Sequence, residues 1–347
     1  MKGRFIGSIL ALLLVALLFL PAVGGAAIAA DSFVMTCNQR EGIEFIISKN
    51  NLTVANLPDN VAFGSVWINI VCKDGSVQIK QKLKRDSDGN AILPLKRLND
   101  GCYYIELYFY AGDNKYFSYI FGDELGFDWE NGDGSFVPPP VYVHNLEAYE
   151  AERCDSDALE EYLKPTSFIQ SANEDIVKKA KQITKGIPDD YNKALAIHDW
   201  VSANVWYVWD AASYEKRLDG DAVSALSTQL ASCIGYSNLT AALLRAVGIP
   251  AKIVGGHGRN AAKASEWTES RLSEKGTTHF WNEAYVDGRW IIIDTTWDSG
   301  NDYEGGIKTA SDGLYFSRYF DATVEAFSVD HYIKDYEKIP ALSPVES

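Results

Sequence analysis

The stretch from His279 to Asp298, "HFWNEAYVDGRWIIIDTTWD", constrains the fold more tightly than any other part of the chain. Asp287-Gly288 is a turn pair of the kind that closes β-hairpins, because the central positions of such a turn need φ above zero. Folding there sets Val286 opposite Arg289, Tyr285 opposite Trp290 and, further out, Trp281 opposite Asp294. His279 stands two residues before Trp281, so it projects from the same face as Asp294. The two are diagonal neighbours across the strands, roughly 7–8 Å between backbones and within reach of each other through an imidazole and a carboxylate. The pairing requires an unbulged hairpin, since a one-residue slip turns side chains to the other face.

A thiol stands upstream at the start of the strongest helix signal, "SCIGYSNLTAALLRAVGIP". Ser232 suits the N-cap; Leu239, Ala242, Leu243, Ala246 and Val247 make an apolar stripe; Gly248 and Pro250 close the helix. Cys233 then occupies the first helical position, where unpaired N–H groups and the helix dipole favour an anion. Such sites lower a thiol below its free pKa of about 8.5, and the thiolate is the nucleophile. Gly235 is expected to keep the next turn slim for an approaching substrate. By itself Cys233 reads equally well as a small buried hydrophobe. The His–Asp hairpin favours chemistry: Cys233, His279 and Asp294 make a set for covalent acyl transfer, with the His moving protons and the Asp orienting it.

Composition bounds the setting. The chain has 347 residues, 47% hydrophobic and 12% aromatic, which suits a globular protein of about two domains. A formal charge of −15 argues against nucleic acid or an anionic membrane as partner. Lys2 and Arg4 precede the apolar run "FIGSILALLLVALLFL", and "AIA" at Ala27–Ala29 offers a cleavage site, so residues 1–29 read as a signal peptide. Its removal takes the charge to −15 − 2 = −17 and leaves no segment apolar enough to span a bilayer. Secreted or cell-surface localisation is therefore expected. Cys37, Cys72, Cys102, Cys154 and Cys233 are an odd set, so at least one thiol stays unpaired within the chain, and a Cys72–Cys102 bridge is one open pairing.

Residues 30–143 read as an antiparallel β-sandwich-like domain, from "GIEFIISK", "SVWINIVCK", "SVQIKQKLK" and "CYYIELYFY". "AGDN" reads as a hairpin turn and "NGDGSFVPPP" as a linker. Residues 144–347 open with three helical patterns, "SDALEEYLK", "NEDIVKKAKQITKG" and "DDYNKALAIHDWVSANV", and end in strands, an α+β order.

Around these residues the chain resembles the transglutaminase-like superfamily, the circularly permuted relatives of papain-type cysteine peptidases. The resemblance rests on the Cys233 helix, the hairpin, "ALAIHDWVSANVWYVWD" upstream and "YFDATVEAFSVDH" downstream, covering about residues 156–331. It implies Cys233 as nucleophile, His279 as base and Asp294 as orienter. Animal transglutaminases usually carry Trp after the nucleophile; Ile234 stands there in this chain, the form common in bacterial relatives, many of them peptidases.

Other candidates have plainer readings. His257, in a loop-like "GGHGRN", could line the cleft or replace His279. His198 reads as a packing residue, and His331 as structural support. Gln229, Trp206, Trp209 and the Cys233 backbone N–H are candidate oxyanion donors. Trp297 and Asp298 read as a turn that packs the hairpin end, and the aromatic run Tyr103–Phe121 as core rather than a sugar platform. No HExxH, Cys-x-x-Cys or phosphate-binding loop appears, so no metal or organic cofactor is expected. The sequence thus points to an exported cysteine peptidase or amidase acting on protein or peptide, cell-wall peptide included. The alternatives are a cross-linking transglutaminase or a catalytically silent binding protein.

Overall fold

The computed structural model describes residues 32–35, 43–57, 63–111, 116–119, 126–137, 140–151, 156–209, 218–259, 267–268, 272–273, 276–310 and 319–335. The expected signal peptide, Cys37 and Cys154 lie outside the described residues, as does most of the "AGDN" turn. Among the described residues no helix is long and apolar enough to cross a membrane.

The N-terminal part is built from two antiparallel sheets over one core. One sheet holds β1 (Ser32–Met35), β2 (Ile43–Ser48), β3 (Asn51–Ala55) and β6 (Ala91–Pro94). The other holds β4 (Phe63–Cys72), β5 (Val77–Lys82), β7 (Gly101–Ala111), β8 (Tyr116–Tyr119), β9 (Gly126–Glu130) and β10 (Asp133–Val137). Phe45, Leu52, Val54 and Leu93 of the first meet Ile68, Ile70, Ile105, Leu107 and Phe127 of the second. Alternation along each strand supplies these inward faces, as a sandwich requires.

Two expectations change here. The supposed linker is partly strand: Asp133–Val137 pairs with Gly126–Glu130, and its Phe136 is buried. The chain turns at Asn131 and Gly132, which both take positive φ, so the glycines mark a hairpin rather than a tether. Cys72 and Cys102 are free thiols. Cys72 pairs with Tyr103, which puts Cys102 on the opposite face of the sheet, where it pairs with Asp128.

The rest of the chain is α+β. Helix α1 (Pro140–Ala151) leads to a short 3-10 turn (Ser156–Leu163), then α2 (Glu174–Ile183), α3 (Asp190–Asn204), α4 (Ala222–Thr228) and α5 (Cys233–Ala246). Asn173, Asp189 and Asp221 cap the N-termini of α2, α3 and α4 with their side chains. The main sheet runs β18 (Phe320–Ala322), β15 (Arg289–Ile293), β14 (His279–Val286), β13 (Ala251–Gly258) and β19 (His331–Asp335), with α6 (Val324–Ser328) before its last strand. Helix α5 packs on this sheet, and Tyr236, Leu239, Ala242 and Leu243 share a core with Ile253, Ala284 and Ile293. A smaller sheet, β12 (Leu230–Ala231), β11 (Trp206–Val208), β16 (Asp302–Glu304) and β17 (Ile307–Thr309), leads directly into α5.

Candidate active site

The hairpin forms in the register its turn dictates: Val286 pairs with Arg289, Tyr285 with Trp290 and Asn282 with Ile293. Asp287 and Gly288 both take positive φ, 50° and 81°. The next positions outward are Trp281 and Asp294, and His279 sits on the same face. His279 Nε2 lies 2.6 Å from Asp294 Oδ2, and both side chains are buried.

Cys233 begins α5 with Ser232 at the N-cap, yet the Ser232 side chain makes no capping bond. The first helical hydrogen bond is donated by the Tyr236 N–H to the Ser232 carbonyl at 3.0 Å. The N–H groups of the first turn are thus left without helical partners, around a thiol. The Cys233 side chain interacts with His279 and favours its charged form; with Nε2 turned to Asp294, Nδ1 is the ring nitrogen left for the thiol. The structure therefore brings Cys233, His279 and Asp294 together from a helix start and two strands.

The electrostatics follow from this contact. Burial opposes the imidazolium of His279, but Asp294 and Cys233 outweigh it and lift the group to about 10. Burial likewise opposes the Asp294 carboxylate, and His279 and His331 overcome it, holding the group well below the usual carboxylate range. Its second oxygen, Oδ1, accepts the N–H groups of Thr296 and Trp297 at 2.9 and 3.1 Å.

Sequence reasoning missed how far the network extends. His331, read as support, places Nε2 3.0 Å from the same Asp294 oxygen, and its Nδ1 lies 2.7 Å from Asp330 Oδ1. His279 and His331 stand on strands either side of β13, opposite Gly256 and Gly258. Their rings come within 5.3 Å because no side chain stands between. A Cβ on Gly258 would lie 2.8 Å from Trp297 and 3.4 Å from His279. Trp297 thus packs beside both imidazoles, at 5.3 and 4.5 Å between rings, rather than merely closing the hairpin end.

His198 is a second buried histidine with a carboxylate on each nitrogen, Asp199 and Asp298, both at 2.9 Å. Burial opposes its charge, and the two carboxylates raise it to about 9 nonetheless. Asp298, with one imidazole and the Tyr319 N–H as partners, stays above its usual range because burial dominates. The net gain lies with the imidazole, which faces two carboxylates. His198 therefore ties α3 to the turn that carries Asp294, beside a Ser202 hydroxyl bond to the Thr295 carbonyl at 3.2 Å.

Three other expectations shift. Gly235 does not open a path for substrate: a Cβ there would lie 2.9 Å from that of Ala231, so the glycine lets β12 and α4 approach α5. The "GGHG" segment is strand rather than loop, and His257 is buried against Thr278 Oγ1 at 3.2 Å and Lys334 Nζ at 3.1 Å. Of the oxyanion candidates, Trp209 spends its indole N–H on Asp302 at 2.7 Å, whereas the Trp206 Nε1 is buried without a partner.

Among the described residues, one group of potential metal ligands, His279, Asp294 and His331, brings its ligand atoms within 4.8 Å of one another. Both imidazoles already meet Asp294 Oδ2 at hydrogen-bonding distance, so the arrangement fits a hydrogen-bonded relay.

The sequence model of the Transglutaminase-like superfamily matches residues 177–295, a span that contains Cys233, His279 and Asp294 and stops short of His331. The chain is 25% identical over 158 residues to the mouse (Mus musculus) kyphoscoliosis peptidase, and 28% identical over 158 residues to the human (Homo sapiens) protein. Each match covers 46% of this chain but 23% of the relative's length. A solved structure of the periplasmic domain of TgpA from Pseudomonas aeruginosa aligns with a TM-score of 0.32 and 13% identity, over 69% of this chain and 91% of that one. Over residues 177–295 the chain thus matches the transglutaminase-like superfamily.

Proposed function

We propose that the chain is a cysteine enzyme that cleaves an amide or peptide bond through a thioester on Cys233. The observation that carries this reading is His279, which faces the Cys233 thiol with one ring nitrogen and Asp294 with the other. His279 takes the thiol proton, and the sulfur attacks the substrate carbonyl carbon. The C–N bond then breaks while His279 returns the proton to the leaving amine. Water, deprotonated by the same imidazole, attacks the thioester and restores the thiol. Asp294 keeps the ring in place and stabilises its charged form. The negative oxygen of the tetrahedral intermediate is received by the Cys233 backbone N–H and by the unpartnered Trp206 indole N–H.

Hydrolysis is favoured over transfer to an amine by Ile234 after the nucleophile, and by the peptidase name of the matched relatives. Protein or peptide outside the cytoplasm is the proposed substrate, supported by the basic and apolar pattern of the first 29 residues. The test is incubation with an unfolded glutamine-rich protein and a fluorescent primary amine. New N-termini without amine incorporation support the hydrolase; amine incorporation dependent on Cys233 assigns transglutaminase activity instead. Neither product, with Cys233 unreactive, leaves the silent binding protein.

A further inference from the structure

Asp294 Oδ2 carries two imidazoles, and only one of them reaches the thiol. We propose that His331, backed by Asp330, is a positioning residue that fixes the Asp294 carboxylate against His279, and that the N-terminal part of the chain holds it there. The proposal rests on the Cys–His–Asp reading above.

Three observations carry it. First, His331 is fully buried with both nitrogens on carboxylate oxygens, and Tyr319 donates its hydroxyl to Asp330 at 2.5 Å. A ring held at both ends cannot rotate, so its Nε2 presents one fixed direction to Asp294. The charged and titratable groups facing it are Asp294, Asp330, Tyr319 and the His279 ring, and Phe327 stacks on it at 3.9 Å. Second, Asn145 of α1 grips the backbone around it. Its Nδ2 donates to the His331 carbonyl at 2.8 Å and to Ser328 Oγ at 2.9 Å, and its Oδ1 accepts the Ile333 N–H at 2.8 Å. Third, Val329, two residues before His331, is buried in the core of the N-terminal sandwich. The sandwich thus anchors the segment that orients the site.

The test follows Cys233 alkylation by iodoacetamide against pH in the full chain, for the wild type, His331→Gln, His331→Ala and Asn145→Ala. A thiolate–imidazolium pair gives an alkaline inflection where the imidazole loses its proton. That inflection is expected near His279's value of about 10 in the wild type and in His331→Gln, whose amide N–H can replace Nε2–H. In His331→Ala it is expected to fall by about one unit or more, a tenfold change in the imidazole's proton affinity, and in Asn145→Ala by a smaller amount. A profile unmoved in both alanine variants, each shown to melt cooperatively, overturns the proposal. If His331→Ala does not fold, Asn145→Ala against His331→Gln decides it by the same readout. A wild type without any activated thiol would overturn the Cys–His–Asp reading instead, so the two failures are separable.

Discussion

His279 Nε2 and Asp294 Oδ2 lie 2.6 Å apart although fifteen residues separate them along the chain. The hairpin turn at Asp287-Gly288 sets that distance, and burial of both groups strengthens it, because little water screens the contact. Removing the charge while keeping the shape should therefore be felt at the thiol. In Asp294→Asn, alkylation by iodoacetamide at pH 6 should slow by about tenfold or more, since the imidazolium loses its counter-ion and its tautomer is no longer set. An unchanged rate in a folded variant would show that Asp294 does not act on the imidazole.

His198 links pH to stability. Its folded value of about 9 lies above the unfolded value of about 6.5. The stabilisation is fully present below the unfolded value and is lost as pH rises through the folded one, by at most about 3 kcal/mol. His279, raised to about 10, acts in the same direction, so the wild type alone cannot apportion the slope. Urea unfolding at pH 6 and pH 10 should show a smaller loss across that window in His198→Gln than in the wild type. Equal losses would mean that the His198 pair contributes nothing across that window.

Two glycines beneath the site leave no room. A Cβ on Gly256 would lie 2.0 Å from the Tyr332 carbonyl oxygen, a backbone atom that cannot step aside. Gly256→Ala should cost about 3 kcal/mol or more, at or above the upper end of typical overpacking. Gly258→Ala meets side chains instead, Trp297 and His279, so it should cost less stability but slow Cys233 alkylation. Thermal melts paired with alkylation rates would separate the two. Equal stability losses with unchanged reactivity would contradict the packing.

The Trp206 indole N–H is buried without an acceptor, which suits a group awaiting a developing oxyanion. Trp206→Phe keeps the ring and removes the donor. Acylation by p-nitrophenyl acetate should fall about 100- to 1000-fold, while alkylation by iodoacetamide, which forms no oxyanion, should be unaffected. A parallel fall in both reactions would show that the ring is needed for the fold of the site rather than for the intermediate.

Much of the site was legible because its geometry is local. The Asp287-Gly288 turn fixed which residues of the hairpin share a face, and Ser232 with Gly248 and Pro250 marked both ends of the Cys233 helix. What stayed hidden is long-range. His331 meets Asp294 across 37 residues and His198 meets Asp298 across 100, and no periodicity relates such positions. Glycine misled twice in the same way. At Asn131–Phe136 and around His257 and Gly258 the glycines suggested loops, yet both stretches contain strand, because pairing with β9 and β19 overrides weak local preference.

The central claim is that Cys233, His279 and Asp294 act as one unit, and the most direct measurement is the rate of Cys233 alkylation against pH in the wild type and His279→Ala, with Cys233→Ser as the control for other thiols. Rapid alkylation is expected at pH 6, where a free thiol of pKa about 8.5 is almost wholly protonated, with loss of that rapid reaction in His279→Ala. Slow alkylation at pH 6 in both proteins, rising only as for a free thiol, would contradict it.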